Sequence, residues 1–295
     1  MYVNFFHRGI KGSSVCKAKV VCSKEKDIDT QGNNRKHMFE ELKKTVPNGC
    51  CTSFYARDYE TDVSSEVPVA SNANLVTKVA ATCKSVEEFL SQMPVPTDVQ
   101  VQQIETETRG QADNAMWANQ RKGRITASNF YYGFTRVNTI KANRSINHSV
   151  EPLLRKIMGY DASKGHNIPA LNHGKEYEPI AKEKYISLMK CNHKEFAFSE
   201  SGLFVDPSRP YLGASPDLLV YCSGCGMGLS EIKIHFSIAN EILSAIKLPY
   251  LVEHDNVTML RKEHAYYAQI EGQLALCGRT YCDFFRFHPC WFSMQ

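Results

Sequence analysis

The sequence predicts an α/β fold, a mixed central sheet flanked by helices and preceded by a poorly structured N-terminal extension. Three observations carry that expectation. From Trp117 onward helical and strand-like runs alternate, with three strand-like runs in succession at 202–206, 217–222 and 229–234. A hydrophobic share of 43% and a charged share of 22% in 295 residues suffice for a sizeable core. Residues 1–112 differ in character from the remainder of the chain, since the run DVSSEVPVASNAN at 62–74 has few large apolar residues. The expected division is therefore an extension or linker with one helix over 1–112 and a folded domain over 113–295.

Each element has its own signal. In the extension, Val76, Val79, Ala80, Cys83, Val86, Phe89 and Leu90 recur at helical spacing and predict one amphipathic helix over 75–93. Pro94 and Pro96 end it, because proline cannot continue a helix. Further helices are expected from about Ser128, over 146–158 and over about 174–190, the last turning Ala181, Tyr185, Leu188 and Met189 to one side. GLFVD, DLLVYC and LSEIKI then read as strands, and the glycines of SGCGMG suit a hairpin between the second and third. A helix over about 261–277 and the strand candidate TYCDFFRF at 280–287 complete the order. The pairs Tyr131-Tyr132 and Phe284-Phe285 could stack on bases, although aromatics at such spacing more often belong to a core.

Several classes are excluded. No run approaches the ~18 apolar residues of a membrane helix, so no membrane association is expected. The N-terminus lacks the apolar stretch of a secretory signal, which points to a nuclear or cytoplasmic place. Without export, the 11 cysteines are expected as reduced thiols. The net charge of +4 is modest, but residues 116–160 carry eight basic residues against Glu151 alone. Such a segment could face a polyanion or simply be a solvated surface.

The acidic residues have an informative spacing. Asp217 follows Pro216 at the mouth of a strand, and Glu231 and Lys233 share one face of another, with Ile232 and Ile234 on the opposite face. A hairpin between the two strands would return Asp217 to the neighbourhood of Glu231. Two such carboxylates bind a hard divalent cation, and Lys233 could orient or deprotonate a water or stabilise developing charge. Glu178 falls on the helix face of Gly174, Ala181 and Tyr185, as a further ligand or as an edge salt bridge.

The cysteines offer a weaker signal. Cys222 and Cys225 have the spacing of half a tetrahedral zinc site, with Cys191, His193, Cys277, Cys282, His288 and Cys290 as candidates for the rest. None of these forms a second CxxC or an HxxxH, so a reduced, metal-free hairpin tip is expected and zinc is not.

Five segments in fixed order carry a resemblance: RKGRITASNF at 121–130, HGKEYEPIAKEKY at 173–185, LGASPDLLVY at 212–221, LSEIK at 229–233 and HAYYAQIEGQLAL at 264–276. Together they resemble the lambda-exonuclease and YqaJ-type viral recombinase nucleases of the PD-(D/E)xK group. The resemblance implies a restriction-endonuclease-like core and hydrolysis of DNA phosphodiesters from duplex ends in recombination or repair. It implies Mg²⁺ as cofactor, with Mn²⁺ as a substitute. Asp217 and Glu231 match metal-binding carboxylates, Lys233 the catalytic lysine, Glu178 the helical glutamate and Gln269 the glutamine of a later helix. Arg121, Ser128 and Ser215 match positions that hold a terminal 5′ phosphate, with Trp117 where the family has an aromatic residue. The implied partners are DNA and either further copies of the chain or a single-strand-annealing protein. The alternative is a catalytically inactive DNA-binding or zinc-stabilised module of the same fold. Departures from the family pattern are Leu218 in place of glycine and Ile234-His235 in place of Cys-Pro. The chain also stops soon after Phe287, where relatives continue, which predicts an unpaired edge strand.

Overall fold

The computed structural model describes residues 3–7, 72–142, 149–160, 168–234, 248–254 and 257–287. Its centre is a five-stranded sheet in the order β1 (Val3–His7), β10 (Tyr281–Phe287), β7 (Gly226–Ile234), β6 (Leu218–Cys222) and β3 (Ala197–Glu200). β10 and β7 run parallel, and the other neighbours are antiparallel. The mixed sheet flanked by helices is as expected. The strand expected at an open edge is not there: β10 is paired on both sides, because β1 docks on it from the far end of the sequence.

Period-two alternation distributes the side chains of this sheet between two helices. Leu218, Val220, Ile232, Tyr281, Phe285 and Phe287 pack against Ala181, Tyr185 and Met189 of the helix α7 (Pro169–Asn192). Leu219, Leu229, Cys282 and Phe284 face the other way, onto Ile270, Leu274 and Cys277 of α8 (Ala265–Cys277). Phe284 and Phe285 are fully buried, one on each side, so this aromatic pair is core. Each such burial contributes about 1.5–3 kcal/mol, enough to fix the register of β10. Leu218, a departure from the family pattern, is itself a core residue under α7.

The single helix expected over 75–93 is two, α1 (Asn72–Thr82) and α2 (Val86–Gln92). Ser85 interrupts it by capping the second helix, its hydroxyl accepting from the Glu88 N–H at 3.1 Å. After the prolines, Thr97 restarts the chain in α3 (Asp98–Glu107) through a reciprocal capping box with Gln100. In α3, Ile104 packs against Leu203 and Val205. Glu105 accepts the Gly202 N–H at 3.0 Å, and a Cβ on Gly202 would lie 1.8 Å from the Glu105 carbonyl oxygen. Only glycine permits that approach.

The remaining elements are α4 (Ala115–Arg121), the short strand β2 (Ile125–Thr126), α5 (Phe130–Ala142) and α6 (Glu151–Met158). β2 joins β5 (Arg209–Ala214) and β4 (Phe204–Asp206) in a three-stranded sheet, and β8 (Leu251–His254) pairs with β9 (Val257–Leu260). The first half of the helix expected over 146–158 falls partly outside the described residues, and α7 runs past its expected limits at both ends. No described helix is long and apolar enough to cross a membrane.

Candidate functional site

The β6–β7 hairpin does what the spacing of the acids requires. Asp217 donates its N–H to the Ser230 carbonyl at 3.1 Å, just ahead of β6, which sets it beside Glu231. Its carboxylate accepts the Ile232 N–H at 2.6 Å, so the backbone of the partner strand fixes its position. Glu231 is buried and saturated with donors. Lys233 and Gln269 donate to Oε1, the latter at 2.6 Å, and Gln273 donates to Oε2 at 2.7 Å. Both glutamines come from α8, four residues and one turn apart.

The electrostatics follow from this crowding. Burial, and then the Glu231 charge, push the Asp217 carboxyl well above the usual carboxylate range. Burial works against the Lys233 ammonium, but Glu231 and Asp217 outweigh it and hold the group above the ordinary lysine value. Lys233 also lies 5.1 Å from the centre of the Tyr266 ring. Asp217, Glu178, Lys182, Lys175, Gln111 and Ser201 line one cleft of about 530 Å³.

Glu178 borders that cleft but does not join the other acids. It is half-exposed and paired with Lys182 at 2.8 Å. Among the described residues, the one set of three or more His, Cys, Asp or Glu side chains whose ligand atoms gather within 4.8 Å is His193, Cys222 and Cys225. The carboxylates of Asp217, Glu231 and Glu178 form no such set.

A second group of expected residues meets around α4. Arg121 donates to the Thr126 and Ser128 hydroxyls, each at 3.3 Å, and its guanidinium lies 4.2 Å above the Trp117 ring. The Trp117 indole donates to the Ser215 hydroxyl at 2.9 Å, linking Ser215 to the same group. Burial lowers the Arg121 guanidinium to about 10, against the pull of Glu231. The basic segment is less uniform than its charge count suggests. Arg124 is buried and spends its donors on the carbonyls of Pro210 and Gln120. Lys156 is exposed, with its ammonium 3.6 Å from the centre of the Tyr132 ring.

A model of the YqaJ-like viral recombinase domain matches residues 116–280, more than half of the chain. The chain belongs to this family. No curated protein matches it. Among solved structures, it is similar to an alkaline exonuclease (LHK-Exo) from Laribacter hongkongensis, with 24% identity over 59% of this chain and 74% of that one and a TM-score of 0.38. The LHK-Exo complex with dAMP gives 25% identity, 58% and 72% coverage and a TM-score of 0.36. A SOX–DNA complex gives 14% identity, 72% and 46% coverage and a TM-score of 0.32.

Within this YqaJ-like domain, one expectation about cofactors is overturned. Zinc is not expected from the sequence, yet Cys222 and Cys225 meet His193, giving a zinc-type donor set where only magnesium or manganese is expected. The signal is diluted because His193 lies 29 residues before Cys222, across a helix end, a turn and intervening strands. Of its rival candidates, Cys277 and Cys282 are buried on the α8 face, Cys191 is exposed, and His288 and Cys290 lie outside the described residues. Gln273 is the other residue that sequence reasoning misses. Its position four residues after Gln269 could have found it, as both share one helix face.

Proposed function

We propose that this YqaJ-like chain hydrolyses DNA phosphodiester bonds at the Asp217–Glu231–Lys233 centre, acting from duplex ends in recombination or repair. The observation that carries this reading is that Asp217, on the wall of an open cleft, is held by the Ile232 amide next to Glu231, to which Lys233 donates. A divalent cation bound here would meet Asp217 and Glu231, and it would have to displace donors, because Glu231 already accepts from Lys233, Gln269 and Gln273 and Glu178 is engaged by Lys182. When bound, such a cation supplies Lewis acidity toward a phosphate oxygen and lowers the pKa of a bound water.

The chain's own residues have distinct tasks. Lys233, held above the ordinary lysine value by Glu231 and Asp217, can orient a water or set its charge against phosphorus-bound oxygens. Gln269 and Gln273 fix both oxygens of Glu231, which keeps that carboxylate in one orientation. Arg121 with Ser128 and Ser215 offers a cation and two hydroxyls to a terminal 5′ phosphate.

A second reading has an observation of its own: the ligand atoms that gather in this chain are His193, Cys222 and Cys225, not the acids. On that reading the fold binds DNA without cutting it, and the sulfur and imidazole cluster stabilises it. The gathered ligand set favours this second reading over the first. The deciding experiment incubates end-labelled linear and closed circular DNA with the purified chain, in divalent cations added singly or in EDTA. Cation-dependent loss of the linear substrate alone is the expected result. Salt-sensitive binding by a folded protein that cleaves with none of the cations would install the second reading in its place.

A further inference from the structure

The geometry points to a zinc site built by His193, Cys222 and Cys225, with solvent as fourth ligand, that fastens the end of α7 to the β6–β7 hairpin. The distances between the donor atoms decide the matter. With zinc bonds of about 2.3 Å to sulfur and about 2.0–2.1 Å to nitrogen, a tetrahedral centre sets its sulfur–nitrogen edges at about 3.6 Å. From His193 Nδ1, Cys222 Sγ lies at 3.3 Å and Cys225 Sγ at 3.7 Å, which straddle that edge. All three donor atoms lie within 4.8 Å of one another, and both cysteines are free thiols.

The surroundings are those of a prepared ligand set. The Cys225 N–H donates to Cys222 Sγ at 3.1 Å, a backbone hydrogen bond that favours the thiolate a metal requires. Gly226, at φ +74°, then turns the chain back into β7, a conformation that glycine accepts without strain. On the other side, His193 ends α7, its N–H still donating to the Met189 carbonyl at 2.9 Å. The next residues tie the two pieces together, because the Ser223 N–H and hydroxyl both donate to the Lys194 carbonyl at 3.3 Å. Glu195 holds a left-handed φ of 52°, which brings the chain round into β3.

The charge also balances. Two thiolates and a neutral imidazole neutralise Zn²⁺, so the ion adds no net charge to a half-buried position. Cys222 is buried, whereas His193 and Cys225 are partly open, which gives solvent access on one side. Among the described residues no fourth His, Cys, Asp or Glu joins the cluster.

The test needs no DNA cleavage, so its failure is distinct from that of the nuclease reading. The full chain is purified under reducing conditions, stripped with a chelator and titrated with Zn²⁺ alone, then with Co²⁺ as a spectroscopic probe. The expected result is one tightly held zinc per chain. Cobalt should give thiolate charge-transfer absorption with the intense visible bands of a tetrahedral site. Cys225→Ser and His193→Ala, both partly exposed positions, should lose the bound zinc or the spectrum, whereas Asp217→Asn should keep both. A folded parent protein that gives no thiolate–cobalt band overturns the site, as does a Cys225→Ser variant with the band unchanged. A disulfide between Cys222 and Cys225 that persists under these conditions overturns it as well.

Discussion

The helix α7 and the strand β6 lie together along one face of the sheet, and the two ends of this pair differ in kind. At one end Glu178 and Asp217 border the open cleft, with Glu231 and Lys233 beside Asp217 on the next strand. At the other end His193 meets Cys222 and Cys225 at the hairpin tip. The first end offers hard oxygen donors whose places are set by an amide N–H, two glutamines and a lysine. The second offers soft sulfur and imidazole donors linked by backbone hydrogen bonds. Ligand softness sorts cations, and the gathered donor set of this pair is the sulfur and imidazole one.

The largest effect expected from breaking this arrangement is at the acid end. Asp217→Asn removes an oxygen donor's charge and Lys233→Met the ammonium, so each should lower DNA cleavage by about 10²–10³-fold or more. Binding to duplex DNA, measured in Ca²⁺, should persist, because neither change touches Lys156, Arg136 or Lys141. Zinc content should stay at the parent level in both variants. A variant that loses its zinc along with its cleavage would mean that the two ends are one site, and the comparison would fail.

A smaller effect should come from the phosphate group around α4. Arg121 is partly buried, stacked on Trp117 and bonded to Ser128, so its charge is aimed rather than solvated. Charge-assisted hydrogen bonds contribute about 1.5–3 kcal/mol each, which corresponds to roughly 10–100-fold in rate or affinity. Linear DNA with 5′ phosphates should therefore be degraded faster than dephosphorylated DNA by the parent, and Arg121→Ala should erase most of that ratio. Equal parental rates on the two substrates would remove the role given to Arg121, Ser128 and Ser215.

What can be read in the sequence divides along the same line. The adjacency of Asp217, Glu231 and Lys233 is legible because its logic is local: period two places Glu231 and Lys233 on one face, and a glycine-rich hairpin returns Asp217 beside them. The mixed sheet is legible for the same reason. The thiol end is not, because its third donor arrives by tertiary packing from the end of a helix whose length only the fold decides. The docking of β1 on β10 is illegible too, since a five-residue strand nearly 280 residues from its partner carries no pairing signal. In the segment read as extension, the capping residues Ser85 and Thr97 are visible, but the continuous apolar spacing over 75–93 masks the break.

The smallest predicted effect lies between the two ends. Asp283, on β10, is fully buried on the α7 face, where it accepts a hydrogen bond from the Tyr185 hydroxyl and lies beside Ser230 of β7. Burial pushes its carboxyl up to about 7, partly offset by that hydrogen bond and by the charge of His193, while Cys222 acts in the opposite sense. In the unfolded chain the same carboxyl titrates near the ordinary value of about 3.9. The folded state therefore binds the extra proton between these values, and the stabilisation is full below about 4 and lost as pH rises through about 7. Asp217, whose carboxyl is also raised, adds a slope of the same sign, so the effect of Asp283 has to be isolated by difference. Asp283→Asn keeps an acceptor for Tyr185 but cannot ionise. The melting temperature of the parent relative to this variant should fall by a few degrees between pH 5 and pH 8, at fixed zinc. Parallel curves across that range would mean that Asp283 titrates alike in the folded and unfolded chain, so that burial does not raise its carboxyl.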